Sequence, residues 1–211
     1  MSETAKEILE LDYTFKVINN LIPKEFIEAL IQDNRGDWTN LHTNSEGKKY
    51  INSSFRTDKA ITITDAKTAN KILAYIVPKL PKLYKCYSIN PLLRFTKSEP
   101  GDTVAPHMDS TNGQEGYLSM IVYLSNNTNG ATRFFNVDTM QKYDVLPKVG
   151  RVVIFDHRIT HADLASTKDK YILRTNVNGF NKLSEIIKPV LVAPPMIRTR
   201  NVRHMRPGVK N

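Results

Sequence analysis

Two residues of the segment PHMD carry side chains that bind metal ions, and only Met108 separates them. On an extended strand, residues i and i+2 point to the same side, so the imidazole of His107 and the carboxylate of Asp109 can converge on one ion. A third ligand is available in FDHRITH, where His161 follows the apolar run RVVIF. Two imidazoles and one carboxylate on one face of an octahedron leave three positions open, which is the ligand set of non-haem iron(II) oxygenases. The sequence therefore predicts a metal site formed by His107, Asp109 and His161.

Other metal-binding proteins use the same residue types. A His-x-Asp pair arises easily by chance in a chain with 5 histidines and 21 acidic residues. A zinc hydrolase also uses histidine and aspartate ligands, although no general base is evident here, and a cupin would offer more clustered histidines. A non-enzymatic β-helix module is a further alternative. We interpret the remaining histidines, His42, His157 and His204, as incidental, with His157 on a turn and pointing outward.

An arginine within an apolar strand adds a second feature. Arg174 lies thirteen residues after His161 in the segment KYILRTNV. A guanidinium keeps its charge when it is buried, so it needs an anionic partner. One carboxylate of a dicarboxylate would form paired hydrogen bonds with it. The alternative is an arginine on the outer surface.

The elements that position these residues are mostly short strands. From Tyr84 onwards, β-type runs follow one another between turn-rich stretches, whereas two apolar stripes at helical spacing precede them, one after Pro23 and one after Thr64 or Asp65. This pattern predicts a mostly β fold with flanking helices and a double-stranded β-helix (jelly roll) core. We expect one domain, with a support region at 1–83, the β core at 84–182 and a basic, proline-containing extension at 183–211.

Five motifs in order make the chain resemble a known family: PHMD, YLSMIVYLS, NGATRFF, LPKVGRVVIFDHRITH and DKYILRT. Over roughly residues 90–180 they are similar to the prolyl 4-hydroxylase-like group of iron(II)/2-oxoglutarate oxygenases. The resemblance implies that His107, Asp109 and His161 bind Fe(II) and that Arg174 pairs with the distal carboxylate of 2-oxoglutarate. It also implies O2 as a cosubstrate, ascorbate as a supporting reductant, and no catalytic residue beyond the metal centre. The implied reaction hydroxylates a C–H bond, with a peptidyl proline as the favoured target, while 2-oxoglutarate is decarboxylated to succinate and CO2.

Some positions depart from the pattern of this group. Ser98 stands where a tyrosine commonly contacts 2-oxoglutarate, so we expect Ser98 to bind the cosubstrate, with a water or another side chain completing the contact. Asn129 replaces the first glycine of the pattern Gly-Gly-x-Thr-x-Phe. If Ser98 faces the cavity, strand alternation places Arg94 there as well, as a candidate substrate contact. Phe180 lies where relatives often have an aromatic residue near the substrate, and the alternative is a core position.

Charge and composition indicate which partners and which compartment suit this chain. The net charge is +9, and the last 24 residues hold six basic groups and no acidic one. This extension could bind nucleic acid or lie solvated on the surface. An AlkB-type nucleic-acid demethylase is the alternative function, but such enzymes usually have a second arginine where this chain has Phe180. The chain has a single cysteine, Cys86, and no signal-peptide pattern, and both features predict a cytoplasmic protein. It also has no apolar run of about 18 residues, so we expect no membrane partner.

Overall fold

The computed structural model describes residues 15–34, 36–40, 42–43, 49–79, 84–110 and 117–181. The basic extension at 183–211, and with it the expected nucleic-acid contact, lies outside the described residues. Within the described residues, the helices are α1 (Lys24–Asp33) and α2 (Ala66–Ile76), and a 3-10 turn covers Val77–Lys79. The strands are β1 (Phe15–Ile18), β2 (His42–Thr43), β3 (Lys49–Tyr50), β4 (Lys59–Thr64), β5 (Tyr84–Ile89), β6 (Leu92–Ser98), β7 (Val104–His107), β8 (Tyr117–Tyr123), β9 (Thr132–Phe135), β10 (Lys142–Val145), β11 (Val152–Asp156), β12 (His161–Asp163) and β13 (Lys170–Asn181).

Both helices form where the apolar spacing predicts them. Helix α1 begins directly after Pro23 and buries Ile27 and Leu30. Helix α2 is capped by Asp65, whose carboxylate accepts a hydrogen bond from the backbone N–H of Thr68 at 3.0 Å. No helix in the described part of the chain is long and apolar enough to cross a membrane.

The strands form two main antiparallel sheets. The large sheet has the order β1-β11-β8-β13-β6-β4, and β5 also pairs with β13. The small sheet has the order β10-β9-β12-β7, and β2 and β3 form a separate pair. The predicted mostly β fold, with flanking helices and a jelly-roll core, is confirmed.

The large sheet separates two apolar clusters. One cluster packs Leu93, Phe95 and Leu173 against the buried residues of α1 and α2. The other cluster contains Ile121 and Ile172, together with residues of the small sheet. Because side chains alternate along a strand, the residues next to Leu93 and Leu173 face the small sheet. Strand β13 therefore contributes to the helix-side core with one face and to the space between the sheets with the other.

Candidate metal centre

The predicted metal-binding residues come together at one end of the small sheet. His107 ends β7 and lies directly opposite His161, which begins β12, and their ring centroids are 4.3 Å apart. The backbone N–H of Asp109 donates to the carbonyl of His157 at 3.0 Å, which holds the loop after β7 against the turn before β12. Oδ1 of Asp109 lies 3.7 Å from Nε2 of each imidazole. The three ligand atoms lie within 4.8 Å of one another.

The orientation of the imidazoles fits a metal ion. Nδ1 of His107 lies 2.9 Å from the carbonyl oxygen of Ala105, and Nδ1 of His161 lies 3.0 Å from that of Ile159. A carbonyl oxygen only accepts hydrogen bonds, so each Nδ1 carries the proton and each Nε2 keeps its lone pair. Backbone carbonyls commonly fix metal-binding histidines in this way. The donor set is therefore suited to a divalent ion.

The charge states of the three side chains are also those that a metal ion requires. Burial lowers the pKa of His107 to about 4, and the neighbouring His161 and Arg174 add to this effect. Burial likewise lowers the pKa of His161. Desolvation alone would raise the pKa of Asp109, but the adjacent His161 and Arg174 outweigh it and hold that pKa below its usual range. At neutral pH the site presents two neutral imidazoles and one carboxylate, which need no deprotonation before they bind a metal.

Aromatic rings enclose both imidazoles. Phe134 stacks on His161 with ring centroids 5.7 Å apart, and Phe155 meets the same ring edge-on at 4.9 Å. Phe55 packs edge-on against His107 at 5.0 Å. These contacts fix the ring planes and line one side of the imidazoles with apolar groups.

Arg174 lies beside the metal-binding residues and not on the outer surface. The residue is 7% exposed, and its Nη1 lies 3.3 Å from Nε2 of His161. Its Nη2 donates a hydrogen bond to Oδ2 of Asp163. The buried arginine that the sequence predicts therefore has an anionic partner within the protein.

Sequence reasoning missed two charged residues next to Arg174. Lys170 is 1% exposed, and its Nζ lies 3.2 Å from the carbonyl oxygen of Gly130 and 3.3 Å from Oδ1 of Asp163. Asp163 is 2% exposed and accepts a hydrogen bond from Oγ1 of Thr132 at 2.7 Å. Spacing is the one signal in the sequence, because Lys170 precedes Arg174 by four residues on one strand and Asp163 follows His161 by two. Spacing does not show that either side chain is buried.

The other predicted site residues lie on strands β6 and β13. Ser98 is buried and pairs with Lys170, and Arg94 pairs with Arg174. Strand alternation therefore points both Ser98 and Arg94 toward the small sheet. Phe180 pairs with Lys85 in the backbone register, but its side chain lies outside the described residues. Their roles as cosubstrate and substrate contacts stay predictions.

His157 does not point outward as expected. The residue is 7% exposed, and its carbonyl oxygen accepts hydrogen bonds from the backbone N–H groups of both Asp109 and Ser110. That interpretation was wrong because the turn before β12 packs against the loop after β7. Only the fold brings these two segments together.

Comparisons with known proteins agree with this geometry. The family model of the 2OG-Fe(II) oxygenase superfamily matches residues 93–180, a segment that contains the three candidate ligands, Lys170 and Arg174. A search of curated proteins found no match.

Solved structures with a similar fold include several oxygenases. A prolyl-4-hydroxylase from Pseudomonas putida is 16% identical with a TM-score of 0.56, over 79% of this chain and 93% of that one. A prolyl hydroxylase from Trichoplax adhaerens, solved with a hypoxia inducible factor peptide fragment, is 18% identical with a TM-score of 0.58, over 82% of this chain and 86% of that one. A 2OG-Fe(II) oxygenase family oxidoreductase from Burkholderia pseudomallei is 11% identical with a TM-score of 0.52, over 80% of this chain and 88% of that one. At these identities, the likeness concerns the fold.

The family match, the fold and the cluster of two histidines and one aspartate point in the same direction, and the predicted resemblance is confirmed. Iron(II) is the cofactor of this family, and 2-oxoglutarate and O2 are its cosubstrates. Residues 93–180 therefore correspond to a 2OG-Fe(II) oxygenase domain.

Proposed function

We propose that this oxygenase hydroxylates a C–H bond of a peptide substrate, with a prolyl residue as the favoured target. The observation that carries the proposal is the convergence of His107, Asp109 and His161 beside a buried arginine. His107, Asp109 and His161 would hold the iron(II). When bound, the ion supplies oxidative decarboxylation of 2-oxoglutarate to succinate and CO2 coupled to hydroxylation, while the protein supplies position and exclusion of water.

The anchor for 2-oxoglutarate is the pair of buried cations on β13. Contacts lead away from the metal ligands in the order His161, Arg174, Asp163, Lys170. A 2-oxoglutarate molecule held at the metal ligands would have its second carboxylate near these cations. Arg174 and Lys170 would bind that carboxylate through charge-assisted hydrogen bonds, which are stronger than neutral ones. Ser98 lies opposite Lys170 in the strand register, and its hydroxyl would add a contact.

The rim of the site is suited to an apolar group of a substrate. Met108 lies between two of the candidate ligands and is 43% exposed, and Phe55 lies against His107. A peptidyl proline presents an aliphatic ring of matching character. The Trichoplax adhaerens relative was solved with a peptide fragment, and this also supports a peptide as the class of substrate.

Mass spectrometry tests the choice of substrate. The iron-loaded protein is incubated with proline-containing peptides, 2-oxoglutarate and ascorbate under air, and we expect one oxygen atom to be added to a proline. The same peptides with alanine in place of proline, and the His107→Ala variant, serve as controls. Oxygen addition to a free amino acid or a nucleobase, with none on any peptide, would contradict the proposed substrate class while leaving the oxygenase chemistry intact.

A further inference from the structure

Asp163 is a buried carboxylate within the region that should receive the carboxylate of 2-oxoglutarate. It is 2% exposed, and three side chains donate to it. Oδ1 accepts from Thr132 at 2.7 Å and from Nζ of Lys170 at 3.3 Å, and Oδ2 accepts from Nη2 of Arg174. Both cations of the proposed anchor therefore already share an anion that belongs to the protein.

This arrangement changes the charge that an incoming dicarboxylate meets. Lys170 and Arg174 contribute two positive charges, and Asp163 removes one of them. In a buried site the interaction between charges a few ångströms apart is much stronger than in water. A buried anion at this place therefore lowers the attraction for a second anion, although it keeps the two cations fixed in position.

The cations keep donors for a further partner. Lys170 has three N–H donors, and its Nζ contacts the carbonyl oxygen of Gly130 and Oδ1 of Asp163. Nε of Arg174 is buried and has no hydrogen-bond partner among the described residues. A buried donor without a partner is energetically unfavourable and is rare in folded proteins. The site is thus able to take a carboxylate in addition to that of Asp163.

We infer that Asp163 is a positioning residue that holds Lys170 and Arg174 in place and limits the affinity of the site for the distal carboxylate of 2-oxoglutarate. The inference rests on the proposed function of this site. The negative charge of Asp163 opposes that of the cosubstrate carboxylate beside the same two cations, so the affinity is lower than two unopposed cations would give. A purely structural ion pair makes the opposite prediction, because disturbing it could only weaken binding.

The test uses the Asp163→Asn variant, which has nearly the same shape and keeps an oxygen for Thr132 but lacks the charge. Binding of glutarate, a five-carbon dicarboxylate without the keto group, is measured by calorimetry on metal-free protein. Binding of 2-oxoglutarate is measured anaerobically on protein loaded with Mn²⁺. We expect the Asn variant to bind both ligands about tenfold more tightly than the parent, because a buried opposing charge is removed.

The control is Asp144→Asn, which removes a carboxylate from the more exposed pair with Arg133 on the same small sheet and should leave both affinities unchanged. Asp163→Ser, which also lacks the charge, should tighten binding as well and serves if the Asn variant does not fold. Equal or weaker binding in a folded variant, or failure of both variants to fold, would overturn the inference and assign Asp163 a structural role alone. If the parent protein itself binds neither glutarate nor 2-oxoglutarate, the proposed function fails instead.

Discussion

At the scale of single residues, two backbone carbonyls decide what His107 and His161 can do. By accepting hydrogen bonds from Nδ1, the carbonyls of Ala105 and Ile159 leave each Nε2 without a proton, at 3.7 Å from Oδ1 of Asp109. The sequence predicts the three residue types and the shared face of His107 and Asp109. The tautomers depend on backbone oxygens, which a sequence pattern does not reveal.

Loss of one ligand should remove the metal. In His107→Ala, two of the three candidate ligands remain, and we expect affinity for iron(II) to fall by more than the roughly 10- to 100-fold loss that removal of an outer-sphere partner causes. Metal content after dialysis and a Mn²⁺ titration measure the change. Met108→Ala, at the exposed position between two ligands, is the matched control and should retain the metal. Full iron retention by His107→Ala would show that His107 is not a ligand.

Loss of a buried cation should weaken the binding of 2-oxoglutarate and leave the metal in place. A hydrogen bond to a charged group contributes about 1.5–3 kcal/mol, so Arg174→Met and Lys170→Met should each raise the Kd for 2-oxoglutarate by roughly 10- to 100-fold. Anaerobic titration of the metal-loaded variants gives this value. Unchanged affinity in both variants would exclude β13 as the anchor. A change in only one of them would identify the residue that holds the distal carboxylate.

At the scale of elements, the helices and most strands follow from local pattern, but their pairing does not. In α2, Asp65 caps the N-terminus, and Ile72 and Ile76 belong to the apolar stripe. Both signals are visible in the sequence. The order of the large sheet depends on contacts between distant segments, such as β1 with β11. The small sheet also joins distant segments, such as β12 with β7 and β9, so the buried position of Asp163 on the three-residue strand β12 could not be predicted from its neighbours.

The cap of α2 should have a measurable effect on stability. Asp65→Ala removes the acceptor for the N–H of Thr68, and we expect the free energy of unfolding to fall by about 1 kcal/mol. Urea denaturation measures the difference. Asn70→Ala, at an exposed position of the same helix, should be neutral or slightly stabilising because alanine favours helix. Equal stability of the Asp65→Ala variant and the parent would mean that the cap does not stabilise α2.

The turn between β8 and β9 needs its glycine. Gly130 has a φ of +71°, and a Cβ there would lie 2.4 Å from Cβ of Ser166. Gly130→Ala should therefore lower the free energy of unfolding by more than the roughly 1–2 kcal/mol of left-handed backbone alone, and it should shift the carbonyl that Lys170 contacts.

Gly101→Ala is the control for this turn. Its φ is +92°, but nothing lies within 4 Å of the added Cβ. Gly101→Ala therefore carries only the cost of the left-handed backbone conformation. Urea denaturation of both variants separates the two effects. An equal decrease in the free energy of unfolding in Gly130→Ala and Gly101→Ala would show that the contact with Ser166 relaxes without cost.

At the scale of the whole molecule, the large sheet separates the helix-side core from the face that carries the candidate site. Leu173 packs into the helix-side cluster, whereas Arg174, the next residue, contacts His161 on the other side. The resemblance of the motifs predicted this architecture. It did not predict that β13 carries a second buried cation, because Lys170 in the sequence looks like an ordinary charged residue at the start of a strand.

The most direct test of the oxygenase account is succinate formation by the purified protein. The protein is supplied with iron(II), ascorbate and 2-oxoglutarate under air, without a prime substrate, since oxygenases of this kind often turn over slowly without one. We predict succinate formation that requires iron(II) and O2 and is lost in Asp109→Ala. Absence of succinate, together with failure of the parent protein to bind iron(II) or 2-oxoglutarate, would contradict the account.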